Sequence, residues 1–145
     1  MTALAADRSR HPYDGPVQRI TLPVNAGSVI YSGALVMMDA TGYAVPAADT
    51  ASCMFMGVAN HAATGGTADG DVTVSVDFGH VERFACTGLV AAQQGMNAVI
   101  SDDQTVTDRV AATNDIPIGK IMYLEGTSYA WLHVGVLSAV DTAAS

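Results

Sequence analysis

The chain has 145 residues, 50% of them hydrophobic and only 14% charged, and six basic residues stand against fourteen acidic ones for a formal net charge of −8. That length suits one domain with a real core and is too short for two ordinary ones. The balance argues against direct nucleic-acid binding, which relies on clustered Lys and Arg, and the scarcity of charged surface residues points to a subunit covered by other protein chains.

Lys120 is the single lysine, and residues 1–19 hold Arg8, Arg10 and Arg19 against Asp7 and Asp14, which leaves three basic and twelve acidic residues in the body. A slightly basic arm therefore precedes an acidic body. The start of the chain lacks a charged-then-apolar signal pattern, so synthesis in the cytoplasm is expected. Ile20 to Met38 is free of charge, but Pro23, Asn25, Gly27, Ser28, Ser32 and Gly33 interrupt it, and no membrane span is expected. Cys53 and Cys86 show no CxxC or zinc-type spacing and read as buried free thiols.

In chain order, residues 1–19 read as an extended N-terminal arm, with His11-Pro12-Tyr13-Asp14-Gly15-Pro16 preventing regular structure. Residues 20–145 read as a single all-β domain, a small barrel or sandwich of short strands. Ile20, Leu22 and Val24 alternate with polar positions, and Pro23 marks an edge strand. Ser28 to Met38, Asp39-Ala40-Thr41-Gly42 and Tyr43 to Val45 read as strand, turn, strand. Phe55 to Ala59 is another short strand, and His61 to Gly70 a loop. Val72, Val74, Val76 and Phe78 alternate with Asp71, Thr73, Ser75 and Asp77, predicting one buried and one wet face. Val81 to Cys86 resumes extended structure after Gly79-His80, and Leu89 to Met96 is the best candidate for a short helix, ended by Gly95.

Laying the chain over itself with a shift of 62 brings Gly33 onto Gly95 and Gly57 onto Gly119. Val36 to Asp39 then falls on Ala98 to Ser101, Met56-Gly57 on Ile118-Gly119, and Val72 and Val74 on Val134 and Val136. Two similar β units sharing one core are the expectation.

No enzyme is expected. There is no GxSxG elbow and no phosphate-cradling glycine motif around Gly65-Gly66. His11, His61, His80 and His133 lack metal-ligand spacing, and Asp69-Gly70-Asp71 and Asp102-Asp103 read as acidic turns rather than a calcium loop. Neither cofactor nor metal is called for. The arm is the favoured functional part, suited to lying across a neighbour, with Arg8, Arg10, His11, Tyr13, Val17 and Arg19 as candidate contacts to a partner or another subunit.

The runs Gly33-Ala34-Leu35-Val36-Met37-Met38-Asp39-Ala40-Thr41-Gly42-Tyr43-Ala44-Val45-Pro46-Ala47, Met56-Gly57-Val58-Ala59, Gly70-Asp71-Val72-Thr73-Val74, Gly95-Met96-Asn97-Ala98-Val99 and Pro117-Ile118-Gly119-Lys120-Ile121 together resemble the capsid decoration (cement) proteins of tailed bacteriophages. The likeness extends from about Val24 to Val136. It implies a β-rich fold, often called a β-tulip, on the outer capsid surface of the virion. It further implies a homo-oligomer, as a trimer near local three-fold positions, with the major capsid protein as partner, an N-terminal arm in the contact, and no catalytic residues. The alternatives are a small-molecule or carbohydrate-binding β barrel, suggested by Met37, Met38, Met54, Phe55, Met56 and Trp131, and another phage virion part such as a tail or baseplate subunit.

Overall fold

Short runs of alternating apolar and polar residues, each closed by a turn-forming Gly, Asn or Asp, give this chain many strands and almost no helix. The computed structural model describes residues 3–8 and 17–138. In order the strands are β1 (Gln18–Pro23), β2 (Val29–Ile30), β3 (Leu35–Met38), β4 (Ala44–Pro46), β5 (Met54–Ala59) and β6 (Ala63–Thr64). They continue as β7 (Thr73–Phe78), β8 (Val81–Cys86), β9 (Asn97–Ile100), β10 (Thr105–Thr107), β11 (Pro117–Glu125) and β12 (Tyr129–Val134). The fold is all-β: an open sheet ordered β1-β7-β5-β3-β4, a closed barrel ordered β10-β8-β12-β11-β9, and a small β2-β6 ribbon.

The two larger assemblies have one topology. Replacing β1, β3, β4, β5 and β7 by β8, β9, β10, β11 and β12 turns the order of the open sheet into that of the barrel. The pairing register follows the same rule, because a shift of 62 carries Val36↔Gly57 onto Ala98↔Gly119, Leu35↔Val58 onto Asn97↔Lys120, and Met38↔Ala44 onto Ile100↔Val106. The parallel contact that closes the barrel, Val106↔Cys86, has its counterpart in the isolated parallel bridge Val24↔Ala44. Gly57 and Gly119 are equivalent for a steric reason: a Cβ would meet the Asp77 carbonyl oxygen at 2.7 Å and the His133 carbonyl oxygen at 2.2 Å, respectively.

The shift of 62 fails in the last strand of each unit. Leu22↔Val74 corresponds to Phe84↔Ala130, an offset of 56, so Val72 and Val74 do not match Val134 and Val136. The first unit takes fourteen steps from Ala59 to Thr73, through β6, whereas the second takes eight from Ile121 to Tyr129 through a tight hairpin.

Three local expectations are revised. Leu89 to Met96 contains only a 3-10 turn, Ala91–Gln93. The buried Gln93 side chain accepts from the Val90 N–H at 2.9 Å and donates to Asp108 at 3.3 Å, while Gln94 accepts from the Leu124 N–H at 2.8 Å. These ties to the rest of the unit replace the ladder a helix would need. Strand β1 begins at Gln18, so Gln18 and Arg19 lie in the sheet. Asp77, on the side of β7 expected to be wet, is buried between Arg19 and Asn60.

Two apolar clusters fill the interior. One includes Phe84, Ile100, Ile118, Ile121 and Leu132 of the barrel together with Leu35, Met37 and Val58 of the first unit, so the units share a core. The other, built from Leu22, Val24, Ile30, Val36, Ala44, Ala59, Val74 and Val76, lies within the first unit. The units are also tied by the Leu35 N–H to the Asp103 carbonyl at 2.9 Å and by the Asp49 carboxylate, which accepts from the Thr113 and Asn114 N–H groups at 2.6 Å each.

Candidate functional site

Along β8 the side chains of Glu82, Phe84 and Cys86 share the buried face. Period two thus places one carboxylate among apolar positions, and Glu82 is fully buried. An isolated carboxylate there would carry a large desolvation cost. It is compensated from two sides. His80 Nε2–H donates to Glu82 Oε1 at 2.6 Å, and the Arg8 guanidinium from the N-terminal segment pairs with Glu82 Oε2.

Arg8 is held by more than charge. Its Nε donates to the Gly33 carbonyl at 2.7 Å, and its guanidinium lies 4.8 Å from the centre of the Phe84 ring. The backbone around it is fixed as well: the Arg8 N–H donates to the Ser32 carbonyl at 3.0 Å, and the Ser32 N–H returns a bond to Asp7 Oδ1 at 2.8 Å. Further back, the Leu4 N–H donates to Asp103 Oδ1 at 2.7 Å, and Leu4 packs on the first unit's cluster. Burial pushes the Asp103 carboxyl above its ordinary range, with the Leu4 N–H acting in the opposite sense and neighbouring Asp102 adding to the rise.

Of the six arm residues singled out in the sequence, Arg8 turns into the protein's own body and Arg19 pairs with Asp77 at 2.7 Å from within β1. Val17 is exposed just before that strand. Arg10, His11 and Tyr13 lie outside the described residues. Sequence reasoning gave Glu82 no role and read His80 only as one of four scattered histidines, yet a signal existed: in His80, Glu82, Phe84, Cys86 a carboxylate occupies the apolar parity of a strand.

Two apolar surfaces complete the candidates. A groove of about 280 Å³ is lined by Cys53, Met54, Phe55, Ile116, Ile118 and Leu137, with burial raising the Cys53 thiol pKa. Separately, Val81, Met122, Tyr123 and Trp131 form a patch on the barrel wall. The register shift in β11 between Ile121 and Tyr123 explains it, since the irregularity leaves the successive Met122 and Tyr123 both facing solvent.

The described histidines have structural partners. His61 Nδ1–H donates to the Ala62 carbonyl and its Nε2 accepts from the Ser75 N–H, while His133 Nε2–H donates to the Gly79 carbonyl. Among the described residues no three His, Cys, Asp or Glu side chains gather as a metal site requires. No described helix is long and apolar enough to cross a membrane. A scan against protein-family models finds none that matches the chain, and a search of curated proteins finds no relative.

Proposed function

We propose that the chain is a structural virion protein that binds the outer surface of an expanded phage capsid and stabilises it against internal DNA pressure. The observation that carries this reading is the pair of separate apolar surfaces, the Met54–Leu137 groove and the Met122–Tyr123 patch, on a body with so few charges. Two such surfaces suit a subunit that contacts both its own copies, as a trimer, and the major capsid protein. The motif resemblance points the same way. Because such a subunit binds the assembled shell and not its dissociated parts, mass action favours the shell, and several modest contacts combine through avidity.

The test mixes purified protein with expanded shells lacking it and follows co-sedimentation and copy number. Saturation at a fixed ratio to the shell protein is expected; no binding across salt conditions overturns the reading. The groove favours a second reading, a small-molecule-binding barrel, through the Met54 and Phe55 that line it. A ligand screen that leaves the melting temperature unchanged removes that alternative.

A further inference from the structure

The pairing register lays out the outer wall of the barrel. Strands β8, β12 and β11 are neighbours in that order, and directly paired residues point to the same side of a sheet. Three rows therefore face outward: Val81, His133 and Lys120; then Arg83, Trp131 and Tyr123; then Ala85, Tyr129 and Glu125. The rows between them, such as Glu82, Leu132 and Ile121, point into the core. The irregularity in β11 adds Met122 to the middle row, where Met122 is 47% and Tyr123 58% exposed.

Charge sits at the two ends of this wall. Lys120, the single lysine of the chain, stands at one end of β11 and forms no ion pair among the described residues. Glu125 stands at the other end, where the Arg83 guanidinium, 4.2 Å from the centre of the Tyr129 ring, reaches its Oε2 at 3.0 Å. Two cations and one carboxylate thus occupy a face of a chain whose formal net charge is −8. Two such acidic chains repel least where the acidic excess is missing. The order along β11, cation, apolar centre, carboxylate, is also its own complement. Reversed, it sets unlike charges opposite one another and keeps the apolar middle in place.

We propose that this wall is a two-fold contact between copies of the chain. The axis runs along the middle row, across the strands, so that β11 lies over β11 and Trp131 over Trp131. Each Lys120 then faces Glu125 of the second copy, and each Glu125 lies between two cations, Arg83 of its own chain and Lys120 of the other. Trp, Tyr, Met and Arg are the residue types enriched at the centres of protein contacts. The inference rests on the reading of the Met122–Tyr123 patch as a protein contact and names its partner. A two-fold contact cannot close a trimer, so it joins copies that belong to neighbouring trimers. Three spans of six residues cover roughly 300 Å² per copy, well under the about 800 Å² per partner of a standard contact. The pairing is therefore weak between free molecules and strengthens where many copies are held side by side.

The test is sedimentation equilibrium of the full-length protein up to about 500 µM, a range suited to a contact of this size, following how the average mass rises with concentration. Lys120→Glu and Glu125→Lys are each expected to move that rise to about tenfold higher concentration, because like charges then face across the axis. An equimolar mixture of the two variants is expected to bring it back, since every glutamate at these positions then faces a lysine of the other variant. Tyr123→Ser, which changes no charge, is expected to shift the rise in the same direction and decides the matter should a charge reversal fail to fold. A wild-type mass that does not rise, variants that leave the rise unchanged, or a mixture no better than its components overturns the contact. Co-sedimentation of the wild type with expanded shells is measured alongside. Self-association without shell binding removes the capsid reading alone, and shell binding without self-association removes this contact alone.

Discussion

At matching positions the open unit carries Leu22, Val24, Ala44, Ala59 and Val76 where the closed barrel carries Phe84, Cys86, Val106, Ile121 and Leu132. The same strand order therefore surrounds a smaller set of side chains in the first unit and a larger set in the second. The long connection from β5 to β7 in the first unit brings the β2-β6 ribbon, whose Ile30 and Ala63 join that unit's cluster. The barrel has no such insertion and fills itself with Ile, Leu and Phe. Closure differs in the same sense: two paired positions between β8 and β10, against a single bridge between Val24 and Ala44. One topology thus gives two degrees of closure, set by side-chain volume and by what the longest loop inserts.

The comparison is most sharply tested at Glu82 and Ile20. Arg8→Ala leaves a buried carboxylate short of its cation and is expected to cost about 4 kcal/mol in urea unfolding, with Glu82→Leu in the same chain recovering most of it. Ile20→Ala, at the equivalent but exposed place, should cost under about 1 kcal/mol. Equal costs at the two places would break the picture. Next in size, Leu132→Ala should lose about 3 kcal/mol and Val76→Ala about 2 kcal/mol, because the larger side chain leaves the larger cavity. Gly119→Ala and Gly57→Ala should cost about 3 and about 2 kcal/mol, following their 2.2 and 2.7 Å approaches to backbone oxygens.

The smallest expected effect is on pH dependence. Asp39 accepts from the Thr41 hydroxyl and from the Tyr43 and Thr41 N–H groups, which hold its pKa below the ordinary 3.8. Its contribution is present above that value and is lost as pH falls through its lowered one. Burial raises Asp103 above 3.8, so there the folded state holds its proton longer and stability declines as pH climbs through the raised value. Melting curves over roughly pH 2 to 6 should show Asp39→Asn flattening the acid-side loss and Asp103→Asn flattening the opposite slope. Identical profiles for both variants would contradict these assignments.

Much of the fold was legible. Alternation in Thr73 to Phe78 marks β7, Asp39 to Gly42 marks the β3-β4 turn, and Pro23 ends a strand at a sheet edge. The Gly33/Gly95 and Gly57/Gly119 pairs mark corresponding places because each needs a positive φ or a close backbone approach. Three of the misreadings share one cause, since Gln93, Asp77 and Glu82 are polar residues buried by partners far away in sequence, and a local pattern carries no record of such partners. Of the candidate contact residues, Arg8 and Arg19 were visible as basic residues in an acidic chain, but not their pairing with Glu82 and Asp77.

By itself the sequence determined the β class, the turn positions and the internal correspondence, because backbone preference and period-two burial act over a few neighbouring residues. The tertiary structure alone decided which unit closes, where the N-terminal segment lies and which carboxylate it covers. Those outcomes depend on side-chain volumes summed around a ring and on a charge pairing across 74 residues of chain.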